Sequence, residues 1–267
     1  MAPTARALAR QTVTAEILAA ARTRLTGEGP AALSLRAVAR DVGMVSSAVY
    51  RYFPSRDDLL TALLITDYDE LGAAVEAAGA AAGPAPGARW VAMCRAIRDW
   101  SIAHPGDFAL LFGSPVPGYA APRETVVPAT RTTLALVRVV ADAVGSGAPG
   151  APGAPGLSGV SGAPGASGSS VTSTPAAAGR PGSPTAPPAA PGVAGPAVAD
   201  GVATLRSFGI TLPDEVLVRT LMAWTTVFGT ISFELFGHFV GSVSDPAAYF
   251  DQVIVRLADD LGFTATF

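Results

Sequence analysis

The strongest local constraint in this chain is Gly43, which stands between two short amphipathic runs in SLRAVARDVGMVSSAVYRYFPSRDD, residues 34–58. Upstream of it, Ser34 is placed to cap a helix. Leu33 and Val38 have the spacing of a hydrophobic staple, which sets the angle at which the chain enters that helix. Val38, Ala39 and Val42 form an inward stripe, with Arg36, Arg40 and Asp41 outward. Gly43 falls where the helix must stop, because glycine reaches the left-handed conformation without a Cβ penalty. A second helix is expected over about Ser46 to Phe53, burying Val49 and Phe53. Pro54 ends it, and Ser55-x-x-Asp58 is a capping-box pattern for a third. Two short helices around a tight turn make a helix-turn-helix, whose exposed face suits DNA.

Helical periodicity continues on both sides of this unit. Residues 1–11 read as a flexible basic arm carrying Arg6 and Arg10, and a first helix from Thr12 or Thr14 places Ile17, Leu18, Ala21 and Leu25 on one face. Downstream, a long helix starts at Arg56 and fades near Ala82. Further helices are expected around Trp90–Trp100, Pro105–Phe112 and Arg123–Val144, the last started late or kinked by Pro128. A short one runs through Leu205 and Phe208, and two more run from Pro213 to about Val240 and from Asp245 to about Leu261. Nothing reads as a sheet, so the expected fold is all-α. The domains that follow are a helix-turn-helix domain over 12–58 and a helical domain over 59–267.

The second domain is interrupted at 145–195 by a segment rich in Pro, Gly, Ala and Ser, with Arg180 its single charge. Such a composition buries too little apolar surface to offset the entropy of ordering, so disorder is the expectation. Glycine recurs at every third position from Gly147 to Gly168, the collagen period, but a triple helix needs three chains and a longer repeat. Thr220–Val240 is long enough to span a bilayer. Glu234 and His238 inside it, and Arg219 on one side only, favour a buried core or interface helix, and no membrane partner is expected.

Charge divides the chain. Residues 1–65 hold eight arginines against five carboxylates, a net +3 that leaves −6 on the remainder of a chain whose total is −3. A basic head on an acidic body suits a phosphate backbone at one end only. Cys94 is the lone cysteine, which excludes an internal disulfide and a thiol metal cluster. The amino terminus has no uninterrupted apolar run, so a cytoplasmic protein is expected. No Walker loop is present, the glycine-rich insert follows no strand, and the two histidines are not set in a nucleophile–base arrangement. No enzyme, metal or cofactor is therefore expected. Glu234 and His238, four apart, read as a structural polar pair, and His104 before Pro105 as a helix-end cap. Gly237-x-x-x-Gly241 fits either a close helix approach or simple helix termination.

From Thr12 to Leu64 the chain resembles the TetR family of bacterial transcriptional regulators. The resemblance rests on the apolar helix ending at Gly29, on SLRAVARDVGM and on SSAVYRYFPSRDDLL, with Val49-Tyr50-Arg51-Tyr52-Phe53 ahead of Arg56 its most specific part. It departs at Val45, where the family often has a Ser or Thr cap, so that Ser46 is the expected cap. The resemblance implies that Ser34 and Arg36 meet phosphates, that Ser46, Ser47 and Ala48 face base edges, and that Tyr50 and Tyr52 reach the backbone through their hydroxyls. Arg56 would add a phosphate contact at a helix start, while Arg51 is open between phosphate and solvent. For the tyrosines, plain packing is the competing reading.

Trp100-x-x-x-His104-Pro105 before Leu111-Phe112-Gly113, with the later run Trp224–Gly237, resembles the Trp-His-Gly type of TetR carboxy-terminal domain. That implies a homodimer and a pocket for a small-molecule effector. The pocket candidates are Trp90, Met93, Ile97, Trp100, Phe108, Phe112, Trp224 and Phe228, each of which also reads as ordinary core. The expected function is a ligand-responsive regulator, a repressor released from a palindromic double-stranded DNA operator. A ligand-binding or enzymatic bundle merely tethered by its helix-turn-helix is the alternative.

Overall fold

The computed structural model describes residues 4–145 and 198–267, so the Gly/Pro-rich stretch expected at 145–195 lies almost wholly outside the described residues. The described residues contain ten α-helices and no strand, in agreement with the all-α expectation.

The head is built from α1 (Ala5–Glu28), α2 (Leu35–Asp41), α3 (Ser46–Val49) and the start of α4 (Arg56–Ala81). Helix α1 begins well before the expected Thr12. Thr4 caps it by accepting a hydrogen bond from the Ala7 N–H at 3.2 Å, and residues 5–11 are helical rather than an arm. The reason is propensity: ARALARQ is almost entirely strong helix formers. Ile17, Ala21 and Leu25 then meet Leu33, Val38, Val49, Phe53, Leu59, Leu60 and Leu63 in one core. Leu33 and Val38 are both buried, as a staple requires.

Gly43 adopts φ 66°, and the next N–H, of Met44, donates back to the Ala39 carbonyl at 2.8 Å, closing α2 in the manner its glycine implied. Helix α3 is shorter than the expected Ser46–Phe53, although hydrogen-bonded turns carry the chain on to Phe53. Its cap position is held by Val45, with no side-chain cap, so Ser46 is the first helical residue and not the cap. Ser55 caps α4 as expected: its Oγ accepts from the Asp58 N–H at 3.0 Å and donates to the Asp58 carboxylate at 2.7 Å.

Helix α4 passes from one core into another. Its first half supplies the head; Leu71 and Val75 belong to the body, with α5 (Pro86–Ala103), α7 (Val126–Gly145), α9 (Asp214–Leu235) and α10 (Pro246–Asp260). Pro128 lies in the first turn of α7, where its missing N–H costs nothing. Helix α8 (Ala199–Ser207) packs on α9. The Trp90 indole donates to the Ile254 carbonyl at 2.8 Å and meets Phe263 edge-on, fixing α5 to α10 and the carboxy terminus.

Head and body are joined by α6 (Pro105–Phe112). A Cβ on Gly106 would lie 2.5 Å from the Thr26 backbone nitrogen, so α6 touches α1 at a distance that only glycine permits. Helix α9 stops at Leu235 instead of Val240, because the His238 N–H turns back to the Phe233 carbonyl at 2.8 Å. Among the described residues α9 is one helix long and apolar enough to cross a membrane. Its Leu217, Ala223, Val227, Phe228 and Ile231 are nevertheless buried in the body core.

Candidate nucleic-acid interface

The residues expected to meet DNA occupy the outer surface of α2 and α3 and the turn that follows. Ser34, Arg36, Ser47 and Arg51 are exposed, Ser46, Ala48 and Tyr52 are half-buried, and Tyr50 is 42% exposed. The burial of Val38, Ala39 and Val49 holds this surface outward, since the short helices cannot rotate without exposing them. Asp41 does not oppose the arginines there. Arg24 grips its carboxylate with two hydrogen bonds, and that pairing holds the Asp41 carboxyl below the usual carboxylate range.

Tyr52 has a partner the sequence does not advertise. The Arg10 guanidinium of α1 lies 5.0 Å from the centre of its ring and donates to the Arg51 carbonyl at 3.4 Å. Arg6, Ala9, Arg10 and Val13 of α1 face Arg51 and Tyr52 across a cleft of about 380 Å³. Three guanidiniums around one cleft form an anion-attracting surface continuous with the end of α3. Arg6 and Arg10, placed in a flexible arm on sequence grounds, are thus presented by a helix. The signal available was the helix-forming composition around them.

Arg56 requires a correction. Its Nε donates to the Leu33 carbonyl at 3.0 Å, and its Nη2 to those of Pro30 and Ala31 at 2.9 and 3.1 Å. These carbonyls belong to the 3-10 turn Pro30–Ala32 and to Leu33, which caps it ahead of α2. The guanidinium is a clamp on the helix-turn-helix, with Nε and Nη2 engaged by backbone carbonyls.

The eight candidates for an effector pocket come together in one place, as packing. Trp90, Met93, Ile97, Trp100, Phe108 and Phe228 are buried members of the body core, with Phe112 and Trp224 half-buried against it. Trp224, Phe228, Phe112 and Tyr68 form a file of rings at successive centroid distances of 5.5, 4.4 and 6.0 Å, crossing from α9 through α6 to α4. Trp224 also lines a surface cleft of about 380 Å³ between α7, α8 and α9, with Thr130, Thr204, Leu205, Phe208 and Leu221 among the other walls. No charged side chain lines it. His104 caps as expected: its Nδ1 donates to the Trp100 carbonyl at 2.8 Å while its ring stacks on the indole at 4.8 Å.

Glu234 and His238 are not a pair. Glu234 receives a two-pronged hydrogen bond from Arg98 at 2.8 and 2.5 Å, whereas His238 lies beyond the end of α9, 5.1 Å from the Phe233 ring. No group of three or more potential metal ligands occurs among the described residues. Cys94 is buried, which pushes its thiol up and away from thiolate chemistry.

Comparison with known proteins agrees with this architecture. Residues 17–63 match the model described as bacterial regulatory proteins, tetR family, and residues 90–257 match the tetracyclin repressor-like C-terminal domain. The HTH-type transcriptional regulator Rv1816 of Mycobacterium tuberculosis is 34% identical over 249 residues, covering 91% of this chain and 89% of that protein. A counterpart in Mycobacterium bovis, Mb1846, matches to the same extent. The crystal structure of the regulatory protein SCO4313 superimposes with a TM-score of 0.67 at 28% identity, over 96% of this chain and 98% of the other. A tetR-family protein from Rhodococcus RHA1 shares the fold at a TM-score of 0.56 and 15% identity, over 95% and 98% of the two chains. The two mycobacterial relatives are named as HTH-type transcriptional regulators. The chain belongs to the tetR family of bacterial transcriptional regulators, with a DNA-binding helix-turn-helix head and a helical regulatory body.

Proposed function

We propose that this regulator acts as a homodimeric, cytoplasmic repressor that leaves a palindromic operator when a small molecule binds its body. The observation that carries the DNA half is the surface on which exposed Ser47, Tyr50 and Arg51 of the reading segment adjoin a cleft walled by Arg6 and Arg10. On this reading, Ser46, Ser47 and Ala48 approach base edges in the major groove. Ser34, Arg36, Tyr50, Arg51 and Tyr52 position the head on the phosphates, with Arg10 holding Tyr52 in place.

Self-association is supported by the outer face of α9. Met222 and Phe233 are 61% and 53% exposed, and a Cβ on the intervening Gly229 would meet nothing within 4 Å. An apolar stripe of this kind is costly in water and is covered by a second copy. An effector acts by binding more tightly to the conformation that does not fit DNA. The aromatic file from Trp224 to Tyr68 is the packed route by which a change in the body reaches α4.

Fluorescence anisotropy with the DNA upstream of the protein's own gene tests the reading. Sequence-selective binding with two half-sites about one helical turn apart is expected. Binding that ignores sequence and vanishes with modest salt would instead support the tethered-bundle alternative.

A further inference from the structure

The contact between head and body contains an electrostatic imbalance that DNA reading does not use. Arg22 of α1 donates through Nε and Nη2 to Asp67 Oδ1 of α4 at 3.0 and 2.5 Å, lies 2.9 Å from Glu70 of α4 and 3.7 Å from Asp107 of α6. Three carboxylates, two from α4 and one from α6, therefore converge on one guanidinium from α1. Glu70 reaches solvent, but Asp67 and Asp107 are 0% and 3% exposed. Asp67 Oδ2 and Asp107 Oδ1 are buried and without a hydrogen-bond partner.

Two buried carboxylates against one cation leave a net negative charge in a low-dielectric joint, an arrangement that a single proton neutralises. Burial first, and then the Asp107 carboxylate, push the Asp67 carboxyl up to about 7. Burial likewise raises Asp107, against the opposing influence of Arg22 and of His104 at the start of α6. The charged and titratable groups facing the pair are thus Arg22 from α1, Glu70 from α4 and His104 from the α6 cap, and Arg22 is already shared. Beside the pair the two helices are in close contact, because Gly106 of α6 abuts the Thr26 backbone one turn beyond Arg22.

We propose that this joint is a proton-linked latch: docking of α1 on α4 and α6 is completed by one proton held on the Asp67–Asp107 pair, and its loss to solvent releases α1 from α6. The latch adds a pH input to the effector-driven regulation proposed above, and it rests on that reading only where DNA affinity is concerned. A state in which α6 stands away from α1 lets water reach both carboxylates, and such a state gains as pH rises. One proton of difference between the two states changes their ratio by up to tenfold per pH unit between the two pKa values.

The test uses the full-length protein labelled with carboxyl-¹³C aspartate and titrated from pH 4 to 9, with amide hydrogen exchange followed in α1 and α6. One aspartate is expected to titrate above pH 6 in the wild type and to vanish in Asp67→Asn. Exchange protection across residues 22–28 and 105–112, corrected for intrinsic rates, falls several-fold from pH 6 to 8 in the wild type and stays level in Asp67→Asn and Asp107→Asn. Glu70→Gln keeps the wild-type profile. The wild-type titration needs no variant, so a misfolded mutant does not shield the proposal. It is overturned if every aspartate titrates below about pH 5, or if the asparagine variants retain the pH profile. DNA affinity, measured separately at constant salt, isolates the functional reading. Loss of all sequence-selective binding with the titration intact would sink the regulator model and leave the latch standing.

Discussion

Replacing Arg56 with alanine separates a scaffold role from a DNA contact. The substitution deletes three hydrogen bonds from a charged donor and leaves the carbonyls of Pro30, Ala31 and Leu33 without that partner. Such bonds contribute about 1.5–3 kcal/mol each when isolated. They share one side chain here, and water reaches part of the site, so a combined loss of about 2–3 kcal/mol is the reasonable magnitude. For a structure of this size that corresponds to a fall in Tm of roughly 4–12 °C. The assay is thermal unfolding at fixed protein concentration, paired with a salt titration of operator binding below the transition. Arg56→Lys sharpens the result, because lysine keeps the charge but loses the planar fork, and it should be destabilised nearly as much as alanine. The reasoning is refuted if Tm is unchanged while the slope of log affinity against log salt drops by about 0.9, the signature of one lost phosphate contact.

Four further outcomes follow from the same structure. Arg51→Ala should reduce that salt slope by about one contact with little change in Tm, since its side chain is exposed; a flat response removes Arg51 from the interface. Gly106→Ala should destabilise by about 1–3 kcal/mol in a denaturant titration, because the new methyl would overlap the Thr26 backbone; wild-type stability would mean that α6 yields freely. Phe233→Arg should shift sedimentation toward monomer, and an unchanged sedimentation coefficient would place the dimer contact elsewhere than the outer face of α9. Folding stability should itself depend on pH through Asp67. Its folded-state pKa of about 7 lies above the ordinary value of 3.8, so the contribution is present below pH 4 and lost as pH rises toward 7. The slope is at most about 1.4 kcal/mol per pH unit, and Asp67→Asn should remove it.

What could be read from the chain was the chemistry of neighbours. Gly43 as a stop, Ser55 with Asp58 as a cap and Leu33 with Val38 as a staple all depend on residues within five positions of one another, and each forms in the structure. His104 capping back to Trp100 is of the same kind. The helix-turn-helix and the all-α body were legible for that reason. The misreadings come where a side chain finds a distant partner or two local signals compete. Arg56 binds carbonyls some 23–26 residues upstream, and backbone acceptors leave no trace in residue types. Arg22 meets Asp67 and Asp107 only because three helices cross there. At the end of α9, Phe236 and Val240 prolong the apolar pattern, but Gly237 at φ 76° has already turned the backbone out of the helix. At Ala5, alanine and arginine suggested a loose basic tail, whereas the same residues are good helix formers.

Helix α4 belongs to two cores at once, and this makes it a lever whose gain can be stated. Leu71 is anchored in the body core, and Arg56, fifteen residues earlier, stands at the head. At about 1.5 Å per residue the arm between them is roughly 22 Å. A tilt of about 8° at Leu71 then carries the head through roughly 3 Å, close to the rise of one base pair when ten or so span about 34 Å. In a dimer both arms swing, so a displacement in the body smaller than a side chain is enough to put two reading heads out of step with the grooves they must enter together.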